Sequence, residues 1–155
     1  MNSQFPLQDL LDIAHNQVEE SFRTLGGQVA AEQECMDKLS LLERYRAEYQ
    51  ERFREAARSG ITRIQLANYQ QFLARLDTAI TQQSAVAEQS HARTEQCQRE
   101  LIEHRSRMQA FISLSTHHGN MLAAAEARRE QKASDEFAGM RFREHEAARE
   151  SESHG

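Results

Sequence analysis

The sequence predicts an all-α fold, a long two-helix antiparallel coiled-coil hairpin. Three observations carry the prediction. The 155-residue chain has no tryptophan, one proline and six glycines, and its abundant Ala, Glu, Gln, Arg and Leu lose little freedom in a helix. Apolar residues recur every three or four positions along two long segments. Between the two segments stands a strong stop, Ser59-Gly60.

The bulk numbers fit a narrow apolar seam beneath a large solvated surface. Hydrophobic residues make up 39% of the chain and charged residues 28%, which is lean for a compact globular core. Disorder is the alternative such a composition raises, and the ordered repeat opposes it. The net charge is −5. Its arginines are interleaved with glutamates, as in Glu43-Arg44, Glu51-Arg52 and Arg54-Glu55, which reads as a solvated helix face rather than a basic stripe for nucleic acid. No apolar run approaches the ~18–20 residues that span a bilayer, so direct membrane insertion is not expected. Met1 to Gln8 lacks the regions of a signal peptide. The expectation is a cytoplasmic chain with Cys35 and Cys97 reduced.

The predicted boundaries are a helix over about 7–58, a turn over 59–62 and a helix over 63–143. Together they form one hairpin domain, 1–145, followed by a disordered tail, 146–155. The first helix starts after Pro6, since proline is tolerated where the N–H has no helical partner. Its apolar stripe runs Leu7, Leu11, Ala14, Val18, Phe22, Leu25, Val29, Met36, Leu39 and Leu42, skipping a seam position at Glu32, and continues through Tyr45, Tyr49 and Phe53. Gly26-Gly27 interrupts it at a cost of roughly 2 kcal/mol relative to alanines. Because the heptad phase persists on both sides, a kink is expected there rather than a break. Gly60 can adopt the left-handed conformation that ends a helix, and Thr62 can cap the next one.

The second helix carries the cleaner repeat. Leu66, Tyr69, Leu73, Leu76, Ile80, Gln83, Ala87, Ser90, Thr94, Cys97, Leu101, His104, Met108, Phe111, Ser115, His118, Leu122 and Ala125 step by three and four without a slip, the mark of a left-handed coiled coil. So short a turn forces antiparallel neighbours. Phe53 is then paired with Leu66, Leu42 with Leu76, Leu39 with Ile80, Val18 with Leu101 and Leu11 with Met108. Beyond about His118 the second helix has no partner left.

The turn end is the first candidate site. Five of the ten aromatic residues, Tyr45, Tyr49, Phe53, Tyr69 and Phe72, lie there. With Leu66, Leu73, Leu76, Ala79 and Ile80 they make a stripe wider than two helices can bury. Either the rings lap over the seam edge, or they form an exposed patch of aromatic anchors for a partner. The second candidate is the unpaired C-terminal stretch, where Phe137, Met140 and Phe142 need a covering partner and Arg128, Arg129 and Arg141 accompany them. The seven histidines include no HExxH motif and no i,i+4 pair. His104 beside His15 is the one cluster to consider for a metal, and a structural role is favoured. The cysteines show no zinc spacing. Neither a phosphate-cradling loop nor a nucleophile elbow is present, and no cofactor or enzymatic activity is expected.

The ordered motifs at the turn end carry a resemblance. Leu42-x-x-Tyr45-x-x-x-Tyr49, Ser59-Gly60-Ile61-Thr62, Asn68-Tyr69-Gln70-Gln71-Phe72-Leu73, Leu76-x-x-Ala79-Ile80 and Asp135-Glu136-Phe137-Ala138 resemble the FliJ family of flagellar export proteins. The resemblance spans about Leu7 to Arg143. It implies a fold similar to the central stalk of rotary ATPases and a role in bacterial type III protein export, with the terminal ends entering the hexameric export ATPase ring. It further implies that the tip reaches the export gate at the inner membrane and that export chaperones are partners. The gate surface so implied comprises Tyr45, Tyr49, Phe72, Leu76 and Ala79. Two departures from the family pattern are Gly26-Gly27 and the tail after Glu144. An escort for export substrates and a generic coiled-coil scaffold are the alternative functions.

Overall fold

The computed structural model describes residues 4–154 and contains two α-helices, α1 (Gln8–Ser59) and α2 (Arg63–Ser153). They fall into two compact units. One is Ala14–Ser106, and the other joins the N-terminal stretch through Ile13 with the chain from Arg107 onward.

Within Ala14–Ser106 the two helices form the antiparallel hairpin. Gly60 sits at φ +90°, a left-handed backbone that a side chain would strain, and its N–H donates to the Ala57 carbonyl at 3.4 Å. Thr62 then opens α2 with a reciprocal cap. Its Oγ1 accepts from the Gln65 N–H at 3.2 Å, while its own N–H donates to Gln65 Oε1 at 3.0 Å. Such a cap contributes about 1 kcal/mol.

The register is visible in cross-helix pairs spaced by heptads. Gln28 bonds Ser90, Gln83 bonds the Cys35 carbonyl, and the Tyr49 and Tyr69 rings lie 5.2 Å apart. Leu42 opposite Leu76 falls on the same ladder. On α2 the residues turned inward are those the sequence indicates, from Leu66 through His104, with Leu76, Ala87, Ser90, Thr94 and Leu101 buried.

On α1 the structure corrects the stripe. Phe22, Val29, Met36 and Tyr45 are exposed, and the inward positions are Ser21, Gln28, Glu32, Cys35 and Arg46. Ala14, Val18, Leu25, Leu39, Leu42, Tyr49 and Phe53 face inward as expected. The seam therefore alternates fours and threes from Ala14 to Phe53, and Glu32 holds the seam position at which the apolar stripe lacks a residue. The reason is geometric. A helix facing a partner with a strict heptad must keep the same strict phase, and each added residue turns a side chain by about 100°. Small and polar residues are carried inward when they hold the right phase. Larger apolar neighbours, one residue later or earlier, are left on the flank.

α1 continues through Gly26-Gly27 with no interruption of the helix. In the second unit Leu11 is buried, and Phe5 packs on His118 with ring centroids 5.7 Å apart. Past Ala125 nearly every side chain of α2 is exposed. α2 nevertheless runs to Ser153, within the stretch 146–155 for which the sequence predicts a disordered tail. The Ala, Glu and Arg residues of this stretch are helix formers that need no tertiary support to favour helix over strand.

Candidate partner-binding surfaces

At the tip of the hairpin four rings from both helices form one cluster. Tyr49 packs on Tyr69 at 5.2 Å and on Phe72 at 4.2 Å, and Phe53 packs on Tyr69 at 5.4 Å. All three contacts are tilted, with interplanar angles of 51°, 46° and 56°, the geometry aromatic quadrupoles favour. Tyr49, Phe53 and Tyr69 hold inward heptad positions. Phe72 is the member that reaches out from the seam and remains 41% exposed.

The gate surface implied by the resemblance divides into two layers. Tyr45, Phe72 and Ala79 each precede an inward position by one residue, which in an antiparallel pair places them on the same flank. Tyr45 is 51% exposed and Ala79 half-buried. Tyr49 and Leu76 lie beneath, half-buried and 8% exposed respectively. Val86 extends the outer layer one heptad further and is exposed, a residue the sequence reading did not single out. Beside the cluster, Arg46 Nε donates to Asp77 across the hairpin, and its Nη1 donates to Gln50 Oε1 at 3.2 Å. The hydrogen bond and then the charge of Asp77 raise the Arg46 pKa further above its ordinary value.

Midway along the hairpin the seam turns polar. Gln28 Nε2 donates to the Ser90 carbonyl at 2.9 Å and to its Oγ at 3.1 Å, and Gln83 Nε2 donates to the Cys35 carbonyl at 3.0 Å. His91 Nδ1 meets Glu32 Oε1 at 2.7 Å, while its Nε2 meets Glu95 at 3.1 Å. Those contacts, the hydrogen bond to Glu32 first, raise the His91 pKa, and bonding by Thr94 and then His91 lowers that of Glu32.

The flank of α1 opposite Tyr45 carries Phe22, Val29 and Met36, which the apolar stripe places in the core. The signal that finds them is the strict alternation itself. Carried from Ala14 to Phe53 as strict fours and threes, it passes through Ser21, Gln28, Glu32, Cys35 and Arg46, whereas a path through Phe22 and Met36 repeats a four at 14–18–22 and threes at 36–39–42–45.

In the second unit Phe137, Met140 and Phe142 are exposed, as are Arg128, Arg129 and Arg141. The Arg141 guanidinium lies 5.8 Å from the Phe137 ring centroid, a cation–π contact. Arg129 reaches Glu126 at 3.9 Å. Among the described residues no group of three or more His, Cys, Asp or Glu could hold a metal ion, and no helix is long and apolar enough to cross a membrane.

Comparison with known proteins adds to this geometry. The family profile described as Flagellar FliJ protein matches residues 3–147. The chain is 33% identical over 132 residues to the Flagellar FliJ protein of Escherichia coli strain K12. It is 30% identical over 132 residues to that of Salmonella typhi. Each alignment covers 85% of this chain and 90% of the relative. No solved structure matches the chain.

Proposed function

The chain belongs to the FliJ family, a component of the flagellar export apparatus, and we propose that within it the chain is a non-enzymatic stalk and adaptor. It links the hexameric export ATPase to the cytoplasmic part of the membrane export gate, and it exchanges with export chaperones. It works in the cytoplasm, held at the inner membrane by its partners. The observation that carries this reading is the layered tip. Tyr45 and Phe72 present an exposed aromatic flank beside the half-buried Ala79, and Tyr49 packs on Phe72 from below. Preformed aromatic anchors of this kind bind without first losing much side-chain freedom. The unpaired end of α2, with Phe137, Arg128, Arg129 and Arg141, supplies the contact to the ATPase ring or to chaperones.

The test at the tip is titration of the purified gate domain with wild type, Tyr45→Ala and Phe72→Ala. Loss of an exposed anchor should weaken binding by about 2 kcal/mol, with a melting temperature close to wild type. Early melting with normal gate binding would make Phe72 a core ring and remove the patch. Sedimentation with the export ATPase tests the linkage. A stalk requires one chain per hexamer, whereas an escort would follow the amount of cargo.

A further inference from the structure

The outer face of α1 carries a second heptad seam that the hairpin leaves uncovered. Phe22, Gly26, Val29, Gln33 and Met36 step by four and three, the spacing that meets a helical partner. The three large members are 61%, 48% and 46% exposed. At the Met36 end the stripe opens into a groove of about 490 Å³ whose carbon lining comes from Met36, Leu39, Ala87 and Ala92. Its charged rim is Glu32, Glu88 and Glu95 with His91, and no lysine or arginine lines it. His91 engages Glu32 and Glu95, and among the described residues Glu88 has no ion-pair partner.

Gly26 is the second unusual feature of this face. Its backbone is ordinary helix, and a Cβ added there would meet nothing within 4 Å. Neither conformation nor packing inside the hairpin calls for glycine, although it weakens a helix relative to alanine. A bare backbone on an apolar stripe does permit close approach of another helix.

We propose that this face, on the flank of α1 opposite Tyr45, is a docking surface for an amphipathic helix of a partner protein that bears lysine or arginine beside its apolar seam. The heptad spacing selects a helix, and the acidic rim selects its charge. A second copy of this chain is disfavoured, since it would bring the same carboxylates against this rim and carries a net charge of −5. The site is independent of the tip and of the unpaired end of α2.

The test uses the full chain and a fluorescent synthetic peptide of three heptads, with leucine in the seam and lysine beside it. A control peptide carries glutamate in place of lysine. By anisotropy the lysine peptide should bind and the glutamate peptide should not. Val29→Asp should weaken the lysine peptide on the order of tenfold or more, and the pair Glu88→Lys and Glu95→Lys should reverse the preference. Gly26→Gln separates docking from folding, because it should raise the melting temperature while weakening the peptide. Phe72→Ala should leave peptide binding unchanged. Equal binding by wild type and Val29→Asp, or loss on Phe72→Ala, overturns the site. So does sedimentation showing a dimer that Met36→Asp dissolves, since that assigns the face to a second copy.

Discussion

The tip and the middle of the hairpin solve the same pairing problem with opposite materials. The tip uses large rings, and Tyr49, Phe53, Tyr69 and Phe72 touch across the seam yet stay partly exposed. The middle uses Ala87, Ser90 and Thr94, which are buried, with Gln28 and Gln83 bonded across the seam. Small side chains let backbones approach and so bury themselves more completely, while each contributes less apolar area. The difference teaches a division of labour. The tip supplies apolar contact with surplus left for a partner, and the middle supplies register through directional bonds that a slipped pairing would leave unmade.

Three substitutions and a pH series test that contrast. The largest effect should come from Leu76→Ala at the base of the tip. Removing a buried leucine side chain costs about 2–5 kcal/mol, and thermal unfolding should show it. A change near zero would mean the rings alone hold the tip. In the middle the opposite change is informative. Ser90→Leu should destabilise by about 1–3 kcal/mol, because Ser90 is buried in the seam and its Oγ accepts from Gln28 Nε2, a bond leucine cannot make. If the variant melts later than wild type, the middle is short of apolar area rather than closely packed. Gln83→Ala should cost about 1 kcal/mol by removing the cross-helix bond that the Cys35 carbonyl accepts in addition to its helical one. Denaturant unfolding resolves that loss, and an unchanged midpoint would deny the seam glutamines a role in register.

The smallest effect is the pH dependence of the middle. His91 faces Glu32 across the seam, Glu95 on its own helix, and Glu88 in the same groove. Its folded pKa lies above the ordinary 6.5. Its stabilising contribution is therefore complete below 6.5 and is lost as pH rises through the raised value. Glu32 works in the other direction. Its folded pKa lies below 4.5, so its contribution holds above 4.5 and disappears as pH falls through the lowered value. Melting wild type and His91→Gln between about pH 5 and 8 should give curves that converge with rising pH. Parallel curves would sink the clasp.

Much of this molecule is legible from local chemistry alone. The Gly60 turn, the Thr62 cap, both long helices and the inward positions of α2 follow from propensity, backbone conformation and an unbroken repeat. The tip motifs also carry the family. On α1 two neighbouring stripes compete. Leu25 and Leu39 belong to the seam, whereas Phe22, Val29 and Met36 lie one residue beyond an inward position. Hydropathy favours the larger residues because it measures each side chain without reference to what faces it.

Local chemistry therefore dictates the pair of helices, where they turn, and the phase of the helix whose repeat is strict. Which side of α1 meets that helix is settled by packing, since hydropathy alone favours the stripe of larger residues. Pairing in a coiled coil is set by angular phase along the whole contact, and a side chain one residue out of phase is swung aside by about 100° whatever its hydrophobicity. Packing thus drew Gln28, Glu32 and Cys35 inward and turned Phe22, Val29 and Met36 out. Buried polar groups tolerate that exchange when bonded, as Gln28 is to Ser90.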